Sequence, residues 1–126
     1  MRHILSFSIG VTCLSSLAWA SEDKRWSEEY KAFTGSYQVY SGSLSEMAPP
    51  KPPERKSAFM LKGQAAKELF QSIGPDVKEA EACSSAPHYR ERRKGDIDCV
   101  HTRENGYTCH FGFDLRTGKS IPGSIC

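Results

Sequence analysis

Between Cys99 and Phe111 the chain reads CVHTRENGYTCHF, which places two cysteines, two histidines and Asn105-Gly106 within thirteen residues. Three chemistries suit those residue types. Two imidazoles and a thiolate can hold zinc or copper. A thiolate beside an imidazole can act as a nucleophile. Two cysteines can instead close a disulfide across a hairpin. The chain has no Cys-x-x-Cys pair, so a thioredoxin-like redox motif is absent.

What these side chains can do depends on the register of the hairpin that carries them. Asn-Gly favours a two-residue type I′ turn, in which both central residues take positive φ. Centred on Asn105-Gly106, that turn pairs Glu104 with Tyr107, Thr102 with Cys109, His101 with His110 and Cys99 with Gly112. Side chains alternate along a strand. The apolar face then carries Val100, Thr102, Tyr107, Cys109, Phe111 and Phe113. The other carries Ile97, Cys99, His101, Thr108, His110 and Gly112. Cys99 and Cys109 fall on opposite faces and are too far apart to bond. After Phe113, a turn at Thr117-Gly118 and a return strand would bring Cys126 beside Cys109. The expected disulfides are therefore Cys83–Cys99 and Cys109–Cys126. His101 and His110 face each other in this register, which makes them, with His88, the residues of a metal-binding or hydrolytic alternative.

The compartment decides among these chemistries. Residues 1–20 read as a secretory signal peptide: Arg2, an uncharged apolar run from Ile4, and Ala18-Trp19-Ala20 before the charged SEDKR. The mature domain would be residues 21–126, exported to the periplasm or the medium, with no membrane-spanning segment after cleavage. Removing Cys13 leaves Cys83, Cys99, Cys109 and Cys126, an even set that reads as a disulfide framework in a small exported chain. Oxidised cysteines leave no thiolate for a metal or a nucleophile, so no cofactor or metal and no catalysis are expected. The full chain has seventeen basic and fifteen acidic residues, and Arg2 leaves with the signal peptide. That near-balance excludes a dedicated nucleic-acid binder.

Further elements complete the domain. Trp26, Tyr30 and Phe33 have helical spacing and predict an N-terminal helix ending near Gly35. Tyr37 and Val39 share one face of a short strand. Residues 46–56 form a Pro-rich loop around Pro49, Pro50, Pro52 and Pro53, because proline removes donors and fixes φ. Ala58–Leu61 reads as a buried strand. Gln64–Ile73 reads as a helix burying Ala65, Ala66, Leu69, Phe70 and Ile73, stopped by Gly74-Pro75. The run HYRERRKGD is read as a solvated strand or loop, with anionic-polymer binding through Arg90, Arg92, Arg93 and Lys94 as the functional alternative. The chain has no GxSxG, HExxH, P-loop or dinucleotide fingerprint.

The order of elements predicts an α+β domain. Its parts would be a small antiparallel sheet, made of a C-terminal three-stranded meander and one or two further strands, and one or two helices on one face, stapled by disulfides. The expected function is non-catalytic binding of another envelope or extracellular protein. The candidate interaction surface is Tyr89, Arg90, Arg92 and Arg93 with the prolines of the loop, since Arg and Tyr are favoured interface anchors. Size, export signal and paired cysteines are similar in type to small periplasmic proteins that bind another protein, lysozyme inhibitors and immunity proteins among them. The likeness carries no residues over.

Overall fold

The computed structural model describes Trp26 and residues 29–126; the expected signal peptide at 1–20 lies outside the described residues. The chain divides between Tyr30 and Lys31, and the second unit holds all the regular structure among the described residues. It is built of β1 (Thr34–Gly42), β2 (Met47–Ala48), β3 (Lys56–Lys62), α1 (Gly63–Ser72), β4 (Arg90–Lys94), β5 (Ile97–Thr102), β6 (Gly106–Asp114) and β7 (Ser120–Ile121), with one 3₁₀ turn at Glu79–Glu81. The seven strands form one antiparallel sheet in the order β2-β1-β3-β6-β5-β4, and β7 pairs with the far end of β6. The domain is mostly antiparallel sheet with one α-helix and two disulfides. No helix among the described residues is long and apolar enough to cross a membrane.

The expected N-terminal helix does not form across the described part of its span: residues 29–33 carry no regular structure, and Trp26, Tyr30 and Phe33 are exposed. A short helix is marginal in water unless a face is packed, and β1 takes the chain into the sheet from Thr34. The second helix forms as its spacing predicts. Ala66 and Phe70 are fully buried, with Ala65, Leu69 and Ile73 packed beside them over Leu61, Cys99 and Cys109. The small Ala66 lets the helix backbone approach the sheet, and its carbonyl lies 3.3 Å from Cys109 Sγ.

The meander also differs from expectation. It is β4-β5-β6, with the basic run Arg90–Lys94 as its first strand, whereas the expected return strand is only the two residues of β7. The Asn105-Gly106 turn is not type I′. Gly106 has φ +65°, but Asn105 is not in the positive-φ region, which type I′ requires. Thr102 pairs with Gly106 across a three-residue loop, and Asn105 N–H donates to Thr102 Oγ1 at 3.0 Å. The strands therefore slip by three residues, and an odd slip exchanges the faces of β5. Cys99 lies directly opposite Cys109, Cα to Cα 4.0 Å, and the two are bonded. The other disulfide is Cys83–Cys126. Both expected pairings are thus corrected by one change of turn type.

Candidate functional site

The slip also separates the histidines. His101 pairs with Tyr107 on the helix-covered face, ring centroids 4.4 Å apart. His110 points to the opposite face, half-buried, and burial holds its imidazole below the ordinary range. There it lines an open groove of about 290 Å³ with Gln38, Ala58, Met60 and Ser124. His88 is exposed, at φ +63°, and its Nε2 accepts a hydrogen bond from Arg103 at 2.7 Å. The expected His101–His110 pair therefore does not converge. Among the described residues, the donor atoms that come within 4.8 Å of one another are those of Cys83, Glu91 and Cys126, and both sulfurs are consumed by their disulfide.

The basic run is sorted by strand alternation. Arg90 and Arg92 stand on the helix face of β4, and Arg93 stands on the other. Asp76 receives Arg90 through Nε and Nη2, at 2.8 and 3.0 Å, and Arg92 through Nε at 2.7 Å. Those two hydrogen-bonded arginines, Arg90 first, hold the Asp76 carboxyl down at about 2. Arg92 Nη1 also donates to the Phe70 and Ile73 carbonyls at 3.0 Å each. These belong to the end of α1, where backbone acceptors otherwise lack partners. Both guanidinium groups lie over the Phe70 ring, 5.1 Å and 4.5 Å from its centroid. Arg90 and Arg92 thus fasten α1 to the sheet, a structural task that the spacing of charges does not advertise.

On the opposite face Glu91 is fully buried. It accepts hydrogen bonds from Cys83 N–H at 2.8 Å, Tyr89 O–H at 3.2 Å and Arg93 Nε at 2.7 Å. Burial raises its carboxyl pKa, but the Cys83 amide and the Arg93 guanidinium more than offset that and hold it below the ordinary value. Tyr89 is pushed up to about 12, by burial first and then by the Glu91 charge. Beside them Asp98 is raised to about 6 by burial and by Glu91, with Arg93 opposing. One Asp98 oxygen, Oδ1, is buried with no hydrogen-bond partner. Tyr89, Arg90, Arg92 and Arg93 are accordingly all engaged within the domain.

What the described residues leave open is the other half of the helix-covered face. α1 is ten residues long and packs over β6, β3 and β5 near Leu61, Cys99 and Cys109. The strands run on past it. Register places Tyr37 beside Phe59 and Phe59 beside Phe111, and then Val39, Ser57 and Phe113 in the next row. The rings form a ladder across three strands. Centroids are 6.2 Å apart for Tyr37–Phe59, 5.3 Å for Phe59–Phe111 and 6.0 Å for Phe111–Phe113. Tyr37 is 73% exposed, Val39 38%, Phe113 38% and Leu115 50%. At the same end of the sheet, Leu115 N–H bonds the Arg55 carbonyl at 2.9 Å, and Ser41 Oγ accepts from Lys51 N–H at 3.0 Å. These bonds tie the exposed Pro49–Pro53 loop to the sheet beside the aromatic rows.

The sequence pattern identified Tyr107, Cys109, Phe111 and Phe113 as one apolar face but did not divide it into a covered and an open half. The signal for the open half was a length mismatch: a nine-residue β6 extends about 30 Å and a ten-residue helix about 15 Å. A search against family models, curated proteins and solved structures returned no match to this chain, and the site is read from its own chemistry.

Proposed function

We propose that this is an exported, disulfide-stapled binding protein that captures another protein on the aromatic face formed by Tyr37, Phe59, Phe111 and Phe113. The observation that carries the reading is the aromatic ladder that, among the described residues, extends past α1 with Tyr37 and Phe113 exposed. A contiguous exposed apolar patch on a small stapled domain favours a binding surface. Aromatic side chains give large contact area with few rotors to order, which suits them as interface anchors. The sheet and two disulfides keep the patch rigid, so little ordering cost falls on association. The Pro49–Pro53 loop, held at its base by Ser41, supplies an adjacent wall. Export is supported by the two disulfides, which persist in oxidising compartments. The Tyr89–Arg93 run serves this reading indirectly, by fixing α1 and the Cys83 segment in place.

The reading is tested by affinity capture from envelope material with the wild-type protein and with Tyr37→Ser and Phe113→Ser. One partner retained by the wild type and by His101→Ala, but lost by both sheet-face variants, supports it. Capture that is indifferent to Tyr37 and Phe113 and sensitive to His101 or His110 rejects it.

A further inference from the structure

The two disulfides sit in opposite environments. Cys99 and Cys109 are both fully buried beneath α1. Cys83 and Cys126 are exposed, on the other face of the sheet. Arg93 Nη2 lies 3.5 Å from Cys83 Sγ and 3.9 Å from Cys126 Sγ. Glu91 Oε1 lies 3.3 Å from Cys83 Sγ, which carries no proton while the disulfide is closed. Exchange requires access to a sulfur and a stabilised leaving thiolate. Only the second disulfide offers both.

We propose that Cys83–Cys126 is a thiol–disulfide exchange site for an external dithiol, whereas Cys99–Cys109 is a fixed staple. The dithiol attacks as its monoanion. Its thiolate bonds Cys83 Sγ as the Cys83–Cys126 bond breaks, and Cys126 leaves as a thiolate beside the Arg93 cation. The second thiol then attacks its own partner sulfur in the mixed disulfide and passes its proton to Cys83. The dithiol departs as a cyclic disulfide, and the protein gains two electrons and one proton. Glu91 fixes the asymmetry: its carboxylate opposes a thiolate at Cys83 and accepts the new S–H. Opening this bond frees the Pro122–Cys126 segment, whose Ser124 lines the same depression as Asp98, from the Cys83 segment.

The test uses the exported protein without denaturant, dithiothreitol as the dithiol, timed iodoacetamide quenching and peptide mapping. Cys83 and Cys126 should become labelled at least about tenfold faster than Cys99 and Cys109. Under limiting iodoacetamide, the reduced protein should be labelled at Cys126 before Cys83. Arg93→Gln should erase that order and Arg93→Lys should keep it, a distinction that loss of packing alone does not produce. If Arg93→Gln does not fold, the labelling order in the wild type and in Arg93→Lys still decides. Equal opening of the two disulfides, or labelling of Cys83 first, overturns the proposal.

Discussion

Replacing Asp98 by asparagine should stabilise the protein at neutral pH and abolish one branch of its pH dependence. Asp98 on β5 faces Arg93 on β4 and His110 on β6, and the Glu91 carboxylate acts on its charge. Burial and the Glu91 charge raise its carboxyl from 3.8 to about 6, so the folded state holds this proton more tightly than the unfolded chain. A raised acid contributes stability that is complete below about pH 4 and is lost as pH rises through 6. The displacement corresponds to at most about 3 kcal/mol. Asp98 keeps part of its surface in water, and solvent screening lowers the expected loss to about 1–2 kcal/mol. Asparagine mimics the uncharged, protonated acid. Urea unfolding with intact disulfides, measured from pH 4 to 8, should therefore show wild-type stability falling relative to that of Asp98→Asn across pH 4–6, over the background of the other groups that titrate there, the depressed His110 among them. The two should meet near pH 4 and stand about 1–2 kcal/mol apart at pH 7.5. Parallel curves, or a wild type that gains stability across that window relative to the variant, would refute the reasoning.

Three other outcomes follow from the same geometry. Asp76, held at about 2 by Arg90 and Arg92, is a depressed acid whose contribution is present above about pH 4 and lost as pH falls towards 2. Asp76→Asn should cost about 1 kcal/mol at pH 7, discounted for its exposed side chain, and progressively less as pH falls through about 2, by the same urea titration. Gly106→Ala meets no neighbouring atom but must hold φ +65°, so it should cost about 1–2 kcal/mol with the hairpin's amide chemical shifts otherwise preserved. Replacing both Cys99 and Cys109 by alanine should cost about 3 kcal/mol from the short loop they close, read as a lower urea midpoint.

Where local chemistry dictated structure, the sequence could be read. The spacing of Ala66 and Phe70 defined α1 and its buried face, and the four prolines defined an irregular segment. Alternation from Tyr107 to Phe113 defined β6 and its apolar side. The register of the hairpin was not legible, because Asn-Gly serves two turn types and the choice rests on Thr102 Oγ1 closing a three-residue loop. That single ambiguity reassigned both disulfides and moved His101 and His110 to opposite faces. The role of Arg90 and Arg92 was hidden for a different reason. Their partners, Asp76 and the Phe70 and Ile73 carbonyls, are distant in sequence and meet them only once α1 packs. The aromatic surface was half legible: its residues were identified, but their exposure depends on how far α1 extends along the sheet.

The most direct measurement of the central claim is site-specific photo-crosslinking in intact cells. A photoreactive residue is placed at Tyr37, at Phe113 and at Lys67 on the exposed side of α1. Binding on the aromatic face predicts one discrete protein adduct of the same mass from positions 37 and 113, and none from 67. No adduct from the sheet face, or the same adduct from all three positions, would contradict it.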